Sequence, residues 1–413
     1  MAKQSQRPDW LWAILACAVT VHVLFVVSLE TKTINRAFND TYNRPGPAAD
    51  FFAVYHAGRQ VVTGLDPYVG AEDPKVTPPY APFRYTPGVA FTLGVATTTV
   101  KPWVAYVAWL IALELLLCLC LLLVRRLIED PVLRDLVSAA WLAFTPLFVE
   151  LWMGQFTFAT ACLVFIAVVA WQEGRDKLAA GLWAVAAAIK LFPLALVPLL
   201  LRQKRFVAIG VGVGTLALSM VWFVWHPRDW EIFWRLNFSE TDVQSFHSGN
   251  FGLQAFVYHL IALVKPLSPG QWKPVATVMS VSLCAVAAVA MLRRRDADPR
   301  VSAAIALMLL PLISKHVWEH HYVVALPALT LLVAAWAPRD ASEAYSPRLK
   351  LLAAVYVLLW LPSLLLVFQG AGPTWYPQRD WTPTMRATYH ALKPLALLGL
   401  FIYCARSQLR EPA

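Results

Sequence analysis

Residues 178–201 read LAAGLWAVAAAIKLFPLALVPLLL. The stretch is long enough to cross a bilayer and is apolar except for Lys190 at its middle. Pro193 and Pro198 follow, and proline removes a backbone donor and clashes with the preceding turn. Basic residues flank both ends, Arg175 and Lys177 before and Arg202, Lys204 and Arg205 after. A single crossing would separate these clusters across the membrane, against the tendency of Lys and Arg to collect on the cytoplasmic side. The stretch therefore predicts two short helices, in and out again, with Lys190-Leu191-Phe192-Pro193 at an outer bend.

The rest of the chain agrees with such a reading. Of 413 residues 59% are hydrophobic and 15% charged, too few to cover a soluble protein of this length. Mean hydropathy is +0.55. Apolar runs recur from 10–29 to 388–405, continuous rather than alternating, which excludes a barrel. The expected fold is an all-α polytopic membrane protein with about 11–13 transmembrane or re-entrant helices. Runs 87–100 and 252–264 are short enough to be re-entrant or interfacial. Many of the 18 tryptophans sit near run ends, as interfacial anchors do.

Further basic clusters lie at Lys3/Arg7, Arg125/Arg126, Arg293–Arg295, Arg348/Lys350 and Arg406/Arg410. With the bend at Lys190, all of them fall inside. The loop 30–86, Gly154-Gln155, the loops 226–251 and 314–320, and the loop 370–387 then fall outside. The net charge of +10 fits cytoplasmic loops against anionic headgroups rather than nucleic acid. The run from Trp10 to Leu29 is too long for a signal-peptide core and reads as a retained anchor. Cys17, Cys118, Cys120, Cys162, Cys284 and Cys404 all lie in apolar runs without C-x-x-C spacing and read as small core residues. No repeat and no Gly-rich phosphate loop is evident. The whole chain, 1–413, is expected to form one integral-membrane domain, with C-terminal helices over 338–413.

The first outer loop carries the densest polar chemistry. Residues 47–68 read PAADFFAVYHAGRQVVTGLDPY. Phe51, Val54, Tyr55, Gly58, Val61 and Val62 share a face at helical spacing, with His56, Arg59, Gln60 and Thr63 elsewhere. This predicts a short amphipathic helix at the membrane surface, ended by Gly64. Asp50 at its start is either a helix N-cap or a general base. Arg84, within PFRYTPG at 82–88, is an anion contact or a snorkelling side chain.

The segment ISKHVWEHHYVV at 313–324 supplies a second cluster. His316 to His320 spell H-x-x-E-H, a zinc-protease pattern. Lys315 beside it would repel a dication. A polar loop and an anion site are the other readings. Lys315, His316, His320 and His321 suit a pyranosyl phosphate, and Trp318 offers a face for sugar stacking. No metal site and no cofactor are expected, and nothing in the sequence indicates a divalent cation.

In order along the chain, Asp50, Tyr55-His56-Ala57-Gly58, Gly64-Leu65-Asp66-Pro67-Tyr68, Phe83-Arg84-Tyr85-Thr86-Pro87, Gly154-Gln155, Lys190-Leu191-Phe192-Pro193, Ser248-Gly249-Asn250 and Ser314 through His321 stand as a set. That set resembles glycosyltransferase family 87, integral-membrane enzymes of the GT-C class that use polyprenyl-phosphate sugars. The resemblance runs nearly the whole way to about residue 337. Lys315 and Val317 depart from it, standing where the family tends to have Pro and Ser. It implies a hexosyltransferase, with mannose the family's commonest sugar, and a glycolipid or cell-envelope glycan acceptor. It places an acidic residue of the first outer loop in the base role, hence Asp50. One carboxylate opposite the leaving phosphate gives single displacement with inversion. Arg84, Lys190, Lys315, His316, His320 and His321 are the candidate donor contacts. Tyr55, Arg59, Tyr85, Gln155, Asn250, Trp318 and Glu319 are further candidates, Glu319 and Asp66 being alternative bases. The expected location is a bacterial inner membrane with the site on its extracytoplasmic face. A flippase of lipid-linked sugars is the rival reading, and it predicts polar residues deep in several helices. A membrane metalloprotease is third. His22 and His259 read as core or interfacial residues. Trp375, Tyr376 and Trp381 are either a lipid groove or interfacial anchors.

Overall fold

The computed structural model describes residues 8–38, 47–68, 78–239, 250–293, 296–337, 346–362 and 382–409. Ser248, Gly249, Trp375, Tyr376 and Trp381 lie outside the described residues. All regular structure among the described residues is helical.

Among the described residues six helices are long and apolar enough to cross a membrane: Asp9–Thr31, Pro102–Leu127, Pro131–Met153, Phe206–Val224, Pro269–Arg293 and Ala387–Leu409. Five shorter apolar helices, Pro87–Thr97, Thr157–Gln172, Phe192–Arg202, Leu253–Ala262 and Pro299–Ile313, accompany them. Some of the short ones form the interior. Thr157–Gln172 is apolar all round, as a helix without a solvent face must be, and is buried along nearly its whole length. Pro299–Ile313 and Ala325–Trp336 are enclosed in the same way. The long helices instead show bare aliphatic faces, with Val107, Ile111 and Leu115 on one and Val278, Val281 and Val289 on another. Such faces suit a hydrocarbon surround and not water.

The stretch 178–201 breaks where its sequence requires. Helix Asp176–Ile189 ends at Lys190, whose backbone is extended (φ −138°, ψ 142°). A 3₁₀ turn, Phe192–Leu196, leads into helix Val197–Arg202. Trp183 Nε1 donates to Pro193 O at 2.8 Å across the bend, giving a carbonyl beside the break a partner.

Four neighbouring helices run between the same two ends. At one end Thr157 meets Lys190, and Ile313 and Lys273 line the cavity described below. At the other end Arg205 pairs with Asp176 and lies over the Trp171 ring at 5.6 Å. There too Arg202 Nη2 donates to Ala297 O at 3.0 Å, and Arg300 Nη1 donates to Ala334 O at 2.6 Å. The basic helix ends and the polar cluster therefore occupy opposite ends of the bundle.

The first-loop helix forms as Ala49–Val62, and Gly64 follows it with φ +76°. It is more enclosed than its period implies. Ala49 and all residues from Phe51 to Gly58 are buried. His56, expected on the polar face, is among them, and its Nε2 bonds Pro78 O at 3.1 Å. Burial above all, with Arg59 nearby, holds its pKa below the usual histidine value. Gly58 explains the enclosure. A Cβ there would lie 2.1 Å from the Gly94 carbonyl carbon, so only paired glycines let this helix lie flat on Pro87–Thr97.

Candidate active site

The start of helix Ala49–Val62 is set by two left-handed residues in contact. Ala48, its N-cap, has φ +60° and donates its N–H to Trp152 O at 2.8 Å. Gly154 has φ +64°, and a Cβ on it would meet Phe51 Cβ at 2.6 Å. Gly154 thus ends helix Thr145–Met153 and leaves room for the first loop to dock. Asp50 falls in the first turn, one residue inside Ala49, and no side-chain bond caps the helix. The N-cap reading of Asp50 is therefore set aside. Its side chain lies on the wall of a cavity of about 620 Å³.

Arg84, Tyr85, Gln155, Lys190, Lys315, His316, Trp318 and His321 line the same cavity. Gln155 Oε1 is the hub of one wall. It accepts from Lys190 Nζ at 3.0 Å, Tyr85 OH at 3.2 Å and Phe156 N at 3.2 Å. Lys190 Nζ also donates to Thr157 Oγ1 at 2.6 Å. An ammonium has three N–H bonds, so one remains for a ligand. Burial, then the Asp50 and Glu150 carboxylates, hold the Tyr85 phenol well above its ordinary pKa, so it stays a donor. Arg84 Nη1 donates to Leu236 O at 2.8 Å and approaches His316 Nδ1 at 3.4 Å. Trp318 N donates to His321 Nδ1 at 3.1 Å, which leaves the neutral ring's proton on Nε2.

Several candidates lie elsewhere. Tyr55 is buried off the cavity wall, its OH donating to Val100 O at 3.1 Å. Arg59 is exposed on the helix's far end and off the cavity wall. Asn250 positions the wall without lining it. Its Nδ2 donates to Lys315 O at 2.6 Å, and its Oδ1 accepts from Gly252 N and Val317 N at 3.0 and 3.1 Å. Glu319 and His320 are buried behind the wall. Glu319 Oε1 lies 3.1 Å from Lys393 Nζ, and Lys393 also donates to Leu359 O at 2.6 Å. Asp66 lies off the cavity wall, and its Oδ1 accepts from Tyr68 N at 2.7 Å.

The zinc reading of H-x-x-E-H needs both histidines on one helical turn. The helix here begins only at Glu319, so His316 stands before it beside a guanidinium and His320 is turned into the core. Among the described residues no three His, Cys, Asp or Glu are grouped as metal ligands.

The sequence reading missed four contributors. Glu150 is fully buried, accepts from Phe158 N at 2.5 Å, and is with Asp50 in electrostatic contact with Lys190. Asn237 and Lys273 line the cavity, and Lys393 holds Glu319. Glu150 and Lys393 were visible as charges inside apolar runs, which by itself marks a residue for attention. Lys393 brings helix Pro383–Leu409 up behind the cavity wall. His22, read as a core or interfacial residue, pairs with Glu114 at 3.0 Å, and His259 is buried against His390.

Fold and site together define a polytopic membrane protein with a cation-lined cavity at one end of the bundle. The family model of glycosyltransferase family 87 matches residues 83–315, more than half of the chain, and the chain belongs to that family. It is a membrane glycosyltransferase. No curated protein matches the chain. The matched residues include Arg84, Gln155, Lys190 and Asn250, whereas Asp50 and the segment 316–321 lie beyond either end of the match.

Proposed function

We propose that the protein transfers a hexose, mannose in the first instance, from a polyprenyl phosphate to a glycolipid or cell-envelope glycan, on the extracytoplasmic side of the membrane. The observation that carries this is the charge pattern of the cavity. Among the described residues its wall holds one carboxylate, Asp50, and four basic side chains, Arg84, Lys190, Lys273 and Lys315.

A sugar on a lipid phosphate brings its own leaving group. Two tasks are left to the protein. The acceptor hydroxyl must lose its proton as its oxygen bonds to the anomeric carbon, and Asp50 takes that proton. The bond from the anomeric carbon to the phosphate oxygen breaks, and the electron pair leaves on the polyprenyl phosphate. Lys190 and Arg84, with Lys315 and His321, meet that charge as it develops. Attack from the side opposite the phosphate inverts the anomeric centre, and no covalent sugar–enzyme species is needed. The mechanism requires no cofactor.

The test is sugar transfer by purified protein from synthetic polyprenyl-phosphate mannose, with and without chelator. Turnover that is insensitive to chelator and lost in folded Asp50→Asn supports the reading. Full activity of Asp50→Asn removes Asp50 as base. No transfer from any lipid-phosphate sugar overturns the donor class.

A further inference from the structure

The outer segments meet at a second polar cluster, off the cavity wall. Residues 64–68 read GLDPY and follow the first-loop helix Ala49–Val62. Asp66 turns this stretch on itself, its Oδ1 accepting from Tyr68 N at 2.7 Å, as Asp before Pro favours. Tyr68 then lies against Phe83, Phe223 and Phe233, with ring centroids 5.2, 5.9 and 6.4 Å away. Helix Pro227–Trp234 stands opposite and carries Asp229, which is 1% exposed. Asp229 Oδ2 accepts from Trp222 Nε1 at 2.7 Å. The Asp66 and Asp229 side chains also reach each other within hydrogen-bonding distance, across the two elements.

An ionised carboxylate only accepts hydrogen bonds, so two in contact can bond only if one carries a proton. With one proton the pair attracts, and with none it repels. Burial, then Asp66, raise the Asp229 carboxyl to about 6, with Trp222 and His226 acting the other way. The surrounding groups do not replace the proton. His226 is stacked on Trp222, ring centroids 3.5 Å apart, with its Nδ1 3.2 Å from Trp222 O. Burial and both carboxylates keep the Tyr68 phenol well above its ordinary pKa, and it donates to Tyr85 O at 2.7 Å. Arg228, Glu231 and Arg235 are exposed.

What the pair fastens is the rim of the cavity. Tyr85 and Phe233 line the cavity wall, one from each side of this contact. Nearer the cavity the same two regions are joined again, Asn237 Nδ2 donating to Arg84 O at 3.2 Å and Arg84 Nη1 to Leu236 O at 2.8 Å. We propose that Asp66 and Asp229 form a proton-operated latch that ties the first outer loop to helix Pro227–Trp234 at the rim of the cavity, closed while they share a proton and released when both are ionised. The rise from 3.8 to about 6 is about two units, so the latch is full below about pH 4 and weaker by up to about 100-fold well above pH 6. It needs neither donor nor acceptor, and so stands or falls apart from the function proposed above.

The test is amide hydrogen exchange, read by mass spectrometry on the full chain in detergent without substrate. It compares about pH 5 with about pH 7.5, labelling times being scaled for the intrinsic pH dependence of exchange. Exchange in residues 64–68 and 83–86 should be about tenfold faster at the higher pH, most of the two-unit effect lying between them. Asp66→Asn and Asp229→Asn each set an amide donor against the remaining carboxylate, so either should keep both segments slow at both pH values. Asp66→Ala should leave them fast at both. Where one Asn variant fails to fold, the other carries the same test. No pH response in the unaltered protein would overturn the latch. A response confined to 64–68, with 83–86 unchanged, would overturn its hold on the cavity rim. A response kept in both Asn variants and lost in His226→Gln would assign the proton to the imidazole and overturn the carboxyl pair.

Discussion

The two ends of this bundle hold the same kinds of cation in opposite circumstances. At the end away from the cavity, Arg205 faces Asp176 and Trp171, Arg300 faces Asp298 and the Ala334 carbonyl, and Arg348 lies over Trp336. Each closes a junction between helices. At the cavity end Arg84, Lys190, Lys273 and Lys315 surround open volume, with Asp50 as the one carboxylate on the wall among the described residues. The first arrangement is finished by the fold. The second surrounds a cavity, and in the proposed function the donor phosphate completes it. The difference teaches that cation content does not identify a site, whereas cations gathered on a void do.

The sharpest way to break this comparison is at Asp50. Asp50→Asn keeps shape, replaces one acceptor oxygen by an amide donor and removes the base. Turnover should fall by about 10³-fold, within the usual range for a positioned base, while the melting profile is unchanged. A matching loss of folded protein would instead return Asp50 to a structural role.

Next in size is Lys393. It belongs to neither group, since it is buried against Glu319 behind the cavity wall. Lys393→Met strands a buried carboxylate and should cost about 3 kcal/mol of stability. Adding Glu319→Gln should recover most of it, as thermal unfolding in detergent would show. Without such recovery the pair is not what fastens helix Pro383–Leu409 beneath the loop.

The segment 315–321 also shows how far a sequence can be read. Its polar residues look like one cluster because they are adjacent. The backbone before Glu319 is not helical and is extended at Trp318, so neighbouring side chains need not share a face. His316 and Trp318 reach the cavity while Val317 between them is fully buried. The 3₁₀ turn from Glu319 then sends Glu319 and His320 into the core. The broken helix at Lys190 was legible because proline, charge and length all act locally. The partner of Glu319 was not, because Lys393 is distant in sequence and only tertiary packing brings it close. Asp50's choice between cap and cavity was equally undecidable, since it depends on the left-handed pair Ala48 and Gly154.

Outside the cavity a smaller effect tests whether the outer loops are independent of it. Asp229 is buried at the start of helix Pro227–Trp234, its Oδ2 accepting from Trp222 Nε1 at 2.7 Å. Burial, then the neighbouring Asp66, raise its pKa to about 6, with Trp222 and His226 acting the other way. A raised carboxyl binds its proton more tightly folded than unfolded. Stability is therefore greatest below about pH 4 for this group alone, falls as pH rises toward 6, and stays lower above it. The change is on the order of 1–3 kcal/mol. Asp229→Asn should flatten that part of the stability profile. An unchanged profile would mean that another group titrates there.

The smallest prediction compares one cation from each end directly. Lys315→Gln should lower kcat/KM by about tenfold, as loss of a charged contact to a phosphate does, with little change in stability. Arg205→Gln should do the reverse. Its partner Asp176 is largely exposed, so the pair is worth at most about 1 kcal/mol, and catalysis should be untouched. The measurement is kcat/KM against melting temperature for both variants in one detergent. If both moved only stability, the cavity cations would be structural like those of the opposite end. If both moved only activity, the charge at the far end would act on the reaction over the length of the helices, and the separation of the two ends would lose its meaning.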